Sequence, residues 1–297
     1  NFQLARIYGE QGDIEKMYQS YLTLLIDGGT SQAVVLKNIG DFISSDPNNP
    51  NNLTFKKVLL RNAQENPDLL WNQMLSWLFV QQNQFKSAFD QERAIYKRSE
   101  SGSLQRLEGL GALALEAKDF ESATKIFQFI GDNAHDGRTK LRAQLNLIDL
   151  ALKDPNEKSL GEVEKQFEKL TETYGYQSST LQLQLDYANF LAFKMDKPDV
   201  AIAMLKKCLD LPLNNFSVAY VKMELGDILV YDQRFNEALI YFTQIQKDLK
   251  NDVMGQNARF KVAQTSFYKG DFDWALTQLK ILRSSTSQLI ANDAMQL

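Results

Sequence analysis

The chain has 297 residues, a net charge of −4 from 33 basic and 37 acidic side chains, and an apolar fraction of 44%. That apolar fraction excludes disorder caused by a shortage of hydrophobic residues, and the absence of a basic cluster in the sequence argues against a phosphate-backbone partner. The single cysteine excludes an intramolecular disulfide framework, and no apolar run approaches the roughly 20 residues that cross a bilayer.

In chain order, the sequence predicts antiparallel helix pairs that are joined by short turns. The clearest turn runs from Lys269 to Ala275. Gly270 can adopt the left-handed conformation that ends a helix, and Asp271 can cap the next helix. The same pattern, ending at a small or apolar anchor residue, recurs at Met17, Ala88, Ala123, Ala201, Ala238 and Ala275.

The anchors are regularly spaced. Ala88 and Ala123 lie 35 residues apart, and 37 residues separate Ala201 from Ala238 and Ala238 from Ala275. The 78 residues between Ala123 and Ala201 leave room for one more unit. A second small residue precedes an anchor by twelve positions, at Gly111, Gly226 and Ala263.

A period in the mid-thirties made of a helix pair is the signature of a helical solenoid. These small and large apolar positions resemble the tetratricopeptide repeat (TPR) family in a divergent form, because the family's Trp slot and terminal Pro are mostly missing. The resemblance implies an all-α fold, a right-handed α-solenoid of about eight antiparallel helix pairs. The divergent repeats and Asn-, Gln- and Ser-rich loops also resemble long bacterial TPR proteins of the cell envelope.

We expect a single superhelical array over residues 1–297, which forms part of a longer repeat protein. Its predicted units are approximately 1–27, 30–66, 67–98, 102–132, 138–174, 178–210, 215–249 and 252–283, with the start of a further helix at 286–297. The segment 44–52 is rich in Ser, Asp, Asn and Pro and cannot continue a helix. We expect a mobile surface loop there.

Side chains that could support catalysis are isolated in the sequence. His135 is the single histidine and is predicted to lie in a loop, and Cys208 occupies a position that is apolar in other units. No zinc-ligand spacing, phosphate-binding glycine loop or nucleophile motif occurs. The sequence therefore predicts no enzyme, no cofactor and no metal. Asn52 and Asn215 match the glycosylation acceptor pattern, a match that is common by chance.

The TPR resemblance implies that the first helix of each pair lines a concave groove. The residues carried over to this groove are Trp77, Phe190, Phe193, Tyr220, Met223, Asp227, Tyr231, Phe260, Gln264, Phe267 and Tyr268. Aromatic residues and Met are favoured at interface hot spots, whereas packing between helices is the alternative role of the phenylalanines.

One known TPR binding mode clamps the C-terminal carboxylate of chaperones with Lys and Asn. The corresponding pairs here are Glu108/Ala112, Asp186/Phe190, Met223/Asp227 and Phe260/Gln264, and none contains a cation. The sequence favours a partner with apolar anchors, in an extended or helical segment.

We therefore expect a non-enzymatic scaffold or adaptor that binds a protein or peptide segment. We expect no nucleic-acid partner and no transmembrane segment in this chain. Two alternatives stay open. The array could be the accessory region of a larger enzyme or signalling protein, or a component of a bacterial envelope assembly or secretion machine. The envelope resemblance favours the periplasm or envelope over the cytoplasm.

Overall fold

The structure, a computed structural model, describes residues 2–99, 102–153, 160–250, 252–282 and 292. Within these ranges the fold is all-α and contains no strand, as the sequence predicts. The helices are α1 (Phe2–Glu10), α2 (Ile14–Ile26), α3 (Gln32–Gly40), α4 (Pro50–Glu65), α5 (Leu69–Gln81), α6 (Phe85–Arg98), α7 (Gln105–Glu116), α8 (Phe120–Asn133), α9 (Gly137–Lys153), α10 (Leu160–Tyr174), α11 (Leu181–Phe193), α12 (Pro198–Cys208), α13 (Asn215–Tyr231), α14 (Phe235–Asp248), α15 (Val253–Lys269) and α16 (Phe272–Leu282). Apart from residue 292, the predicted further helix at 286–297 lies outside the described residues.

Helices that follow one another in sequence pack as pairs, namely α1/α2, α5/α6, α7/α8, α11/α12, α13/α14 and α15/α16. Within each of the two compact units described below, neighbouring pairs also contact each other, for example through α6 on α7, α12 on α13 and α14 on α15. The chain is therefore a repeat of helix pairs, as predicted. The chain divides into two compact units between Leu150 and Ala151.

The turns inside the pairs share one backbone conformation. Gly270 has a φ of 92°, and Asn83, Lys118, Asp196 and Gln233 reach 54–61° at the same place in their turns. In the turn at Gly270, the N–H of the next residue donates to the carbonyl five residues earlier at 2.8 Å. Asn and Asp tolerate the left-handed region, but other non-glycine residues there cost about 1–2 kcal/mol each. Helix packing therefore outweighs local preference at Lys118 and Gln233.

The small positions predicted from the period are tight helix contacts. The alanine anchors are buried. A Cβ atom at Gly111 would lie 2.7 Å from Cζ of Phe127, and one at Gly226 would lie even closer to the ring of Phe242. Each aromatic ring lies four residues after an anchor, so the second helix places a ring against the glycine of the first.

The third pair replaces this ring-on-glycine contact by a polar one. Ser76 occupies the small position and donates from Oγ to Glu92 Oε1 at 2.5 Å. Glu92 is only 4% exposed, and the guanidinium of Arg106 donates to both of its carboxylate oxygens at 2.7 Å. The buried charge is thereby paired and hydrogen-bonded, as burial of a carboxylate requires.

The predicted loop at 44–52 is shorter in the structure, where only residues 44–49 of this segment lie outside the helices. Residues 50–52 belong to the first turn of α4, and Asn52 is buried. The Asn52 side chain accepts from the Ser44 N–H at 3.0 Å and donates to the carbonyls of Ser44 and Asp46. This amide therefore orders the loop, and its burial argues against glycosylation of Asn52.

Candidate functional site

The second unit places three first helices side by side. α11 contacts α13, and α13 contacts α15. Most of the predicted binding residues lie on these three helices, so their relative register decides which side chains share a surface.

One inserted residue shifts the register of α11. α13 ends at Tyr231 and its turn reaches the left-handed conformation two residues later, at Gln233. α11 ends at Phe193, but its left-handed residue is Asp196, three positions later. Counting back twelve residues from the anchor Ala201 therefore misses the small position of α11 by one residue. The small buried residue on this helix is Ala188.

This shift corrects the prediction for Phe190. Its side chain is only 2% exposed, and its ring centroid lies 5.4 Å from that of Phe167. Phe190 is therefore a core residue rather than a residue of an open face. The shifted register also replaces the pair Asp186/Phe190 by Leu185/Asn189, which still lacks a cation.

Equivalent positions on the three helices carry exposed aromatic side chains, which we call the aromatic row. Its members are Phe193, Tyr231 and Tyr268, which are 41%, 48% and 52% exposed. The rings of Phe193 and Tyr231 meet edge to face at 5.2 Å, and the Tyr231 hydroxyl donates to Asp196 Oδ1 at 3.1 Å. Hydrogen bonding to this carboxylate raises the pKa of Tyr231, because the bond favours the neutral phenol.

One helical turn earlier, a polar row links the same helices. Asn189 on α11 donates from Nδ2 to Glu224 Oε2 on α13 at 2.8 Å. Between α13 and α15, Nζ of Lys261 on α15 lies 2.8 Å from Oδ1 of Asp227 on α13. Polar side-chain contacts therefore join α11 to α13 and α13 to α15.

Burial is the main cause that raises the pKa of Glu224. The Asn189 hydrogen bond and Lys261 oppose the shift, while the nearby Asp227 adds to it. The face therefore contains a half-buried carboxylate whose charged form is only partly compensated.

The sequence prediction found Asp227 but missed Asn189, Glu224 and Lys261. Glu224 lies one turn before Asp227, and Lys261 lies one turn before Gln264, so helical spacing could have indicated both. Asn189 could be assigned only after the inserted residue in the α11 turn was known.

The other predicted site residues occupy different environments. Tyr220 is exposed, and Phe267 is 41% exposed with its ring 5.4 Å from Phe272. Met223, Phe260 and Gln264 are half-buried on α13 and α15. Trp77 belongs to the first unit, where it is half-buried and its ring meets that of Phe55 at 6.5 Å.

A second surface lies on α4 in the first unit. A shallow depression of about 410 Å³ is lined there by Leu53, Lys56, Lys57, Leu60, Arg61 and Gln64. Two of its cations already approach one carboxylate, because Arg61 lies 2.9 Å and Lys57 lies 3.7 Å from Glu15. Glu15 therefore offsets one of the three positive charges that line this depression.

His135 is exposed between α8 and α9, and Cys208 is fully buried. In the parts of the chain that the structure describes, no group of three or more His, Cys, Asp or Glu side chains is arranged to hold a metal ion. Among the same residues, no helix is both long enough and apolar enough to cross a membrane.

No protein-family model matches the sequence, and none of the curated proteins compared with it does either. Solved structures do match. A tetratricopeptide repeat protein from Parabacteroides merdae is 12% identical and gives a TM-score of 0.51, with 93% of this chain and 99% of that chain covered. Yeast Tom70 is 16% identical with a TM-score of 0.52, and the match covers 95% of this chain and 57% of Tom70. At these identities the likeness concerns the fold, and the chain has the tetratricopeptide repeat fold.

Proposed function

We propose that this chain is a non-enzymatic scaffold that binds a protein segment across α11, α13 and α15. The segment would contact the aromatic row and run over the polar row beside it. The predicted concave groove would then be centred on the second unit, with Phe193, Tyr231 and Tyr268 as its main contacts.

The observation that carries this proposal is the repetition of the aromatic row. Equivalent positions on three neighbouring first helices all present a large ring to solvent. Exposed apolar side chains are common when they are scattered, but a contiguous patch is typical of interaction surfaces. Tyr is also enriched among the residues that dominate binding energy.

The surroundings of the row support a binding surface that is fixed before the partner arrives. Phe193 and Asp196 hold the ring and the hydroxyl of Tyr231, and the polar row joins α11 to α13 and α13 to α15. A surface whose side chains are already ordered loses less conformational entropy on binding.

A peptide selection tests the proposal. A display library of random twelve-residue peptides is selected on the full chain, and the affinities of the selected peptides are measured by calorimetry. Replacing both Tyr231 and Tyr268 by Ala is expected to weaken binding at least about tenfold, since each residue would be an interface hot spot. The thermal midpoint should change little, because both side chains are about half exposed.

The matched control is Trp274→Ala. Trp274 is an exposed aromatic residue of similar accessibility, but it lies on the second helix of its pair, α16. This variant should bind the selected peptides like the unmodified chain. Failure to select any peptide whose binding depends on Tyr231 and Tyr268 would refute the proposed site.

A further inference from the structure

We propose that the bound protein segment carries a Lys or Arg side chain that lies against Glu224 and Asp227. This inference rests on the proposed function and specifies the chemistry of the partner. It concerns the polar row, whereas the proposed function depends on the aromatic row.

The first argument is the unequal pairing of the two carboxylates. Glu224 and Asp227 lie one helical turn apart on α13. Asp227 is paired with Lys261 at 2.8 Å. Within the described residues, the carboxylate of Glu224 accepts a hydrogen bond only from the neutral amide of Asn189. The face therefore holds two acidic groups and one bound cation.

The second argument is that nearby cations are bound elsewhere. Lys222, on the same helix, lies 3.8 Å from Asp248 on α14. Arg234, in the turn after α13, donates to both carboxylate oxygens of Glu237. Neither side chain supplies Glu224 with a counterion.

The third argument is the cost of the present arrangement. A half-buried carboxylate that has no ion-pair partner of its own is poorly stabilised. Burial is the main cause that raises the pKa of Glu224, and Lys261, which is paired with Asp227, offsets that shift only in part. A cation brought by a partner would compensate this charge at the moment of binding. Close charge pairs at an interface show coupling energies large enough to change affinity by tenfold or more.

The aromatic neighbours of the carboxylates suit the same ligand. Tyr220 lies four residues before Glu224, and Tyr231 lies four residues after Asp227, so both share the face of the acidic pair. Both rings are exposed. A Lys or Arg side chain can pack its methylene groups on such rings and place its charge at the carboxylates.

The same peptide selection provides the test. Peptides selected on the unmodified chain should be enriched in Lys or Arg relative to the starting library. One selected basic peptide and a version with its Lys or Arg replaced by Gln are then titrated against the unmodified chain and against Glu224→Gln. The variant side chain can still accept the Asn189 hydrogen bond through its amide oxygen, so the fold should be retained.

The basic peptide should bind Glu224→Gln at least about fivefold more weakly than it binds the unmodified chain, whereas the Gln version of the peptide should bind both proteins equally. Asp273→Asn, which removes an exposed carboxylate on α16, is the control and should leave both affinities unchanged. Raising the salt concentration should weaken the binding of the basic peptide more than the binding of its Gln version.

The failures of the two proposals are distinguishable. Peptides that require Tyr231 and Tyr268 but show neither basic enrichment nor sensitivity to Glu224→Gln would overturn this inference and leave the proposed function standing. Basic peptides that bind without any dependence on the two tyrosines would overturn the proposed function, and with it this inference.

Discussion

A single methyl group added at Gly111 tests the helix contact on which the repeat depends. The Cβ atom of an alanine there would lie 2.7 Å from Cζ and 2.9 Å from Cε1 of Phe127. Carbon atoms attract each other best at about 3.5–4.0 Å, so the ring or the helix must move by about 1 Å. Phe127 is only 5% exposed and has little room to move.

Gly109, two residues earlier on α7, is the matched control. An added Cβ atom there meets no atom within 4 Å. Gly109→Ala should therefore stabilise the protein by about 0.5–1 kcal/mol, because glycine is unfavourable inside a helix. Gly111→Ala has the same backbone benefit, but overpacking should destabilise it by about 1–3 kcal/mol.

Urea unfolding followed by circular dichroism measures the difference between the two variants. We expect Gly109→Ala to be more stable than Gly111→Ala by about 1–3 kcal/mol, with similar m-values. In a Phe127→Leu background the difference should shrink, because the ring that meets the added methyl group is gone. Equal stabilisation by both alanines would refute the tight contact and the repeat register derived from it.

Three further predictions concern buried groups. Tyr18 is fully buried and its hydroxyl has no hydrogen-bond partner among the described residues. Tyr18→Phe should therefore raise the free energy of unfolding by about 1 kcal/mol in urea denaturation. A loss of stability would indicate that the hydroxyl has a partner. Burial raises the pKa of the Cys208 thiol to about 11, so this single thiol should react with a disulfide reagent in the native protein far more slowly than in urea; equal rates would show that it is accessible. Burial raises the pKa of Glu224 above its unfolded value, so its contribution to stability is fully present below the unfolded pKa and is lost as the pH rises through the folded pKa. Asn189, Asp227 and Lys261 surround this group. Glu224→Gln should therefore raise the urea midpoint at pH 7 but leave it unchanged near about pH 3.5, below the usual Glu pKa. A variant that is less stable than the unmodified chain at pH 7 would contradict the stated cause of the shift.

The repeat of helix pairs could be predicted because its cause is steric and periodic. A ring can approach the neighbouring helix only where that helix has a small residue, so Gly111 and Gly226 mark the contact in the sequence. Gly270 indicated the turn conformation for a different reason, because glycine adopts a positive φ at little steric cost. Other left-handed residues, such as Lys118 and Gln233, could not be recognised, because packing imposes a conformation that their side chains do not favour.

The candidate face was only partly predictable because one residue changes which side of a helix faces out. The extra position in the turn after α11 moved Phe190 into the core and brought Asn189 to the surface. Hydrogen-bond partners in three dimensions also reversed the prediction for Asn52. Its polar neighbours indicated a loop, whereas the structure buries its amide against the backbone carbonyls of Ser44 and Asp46.

Photo-crosslinking with a selected peptide tests the proposed binding face most directly. A benzophenone side chain is introduced in place of Tyr268 on α15 or, in a separate variant, in place of Leu60 on the α4 surface. We expect the selected peptide to become attached from position 268 and not from position 60. Attachment from position 60 alone would contradict the proposal that α11, α13 and α15 carry the binding site.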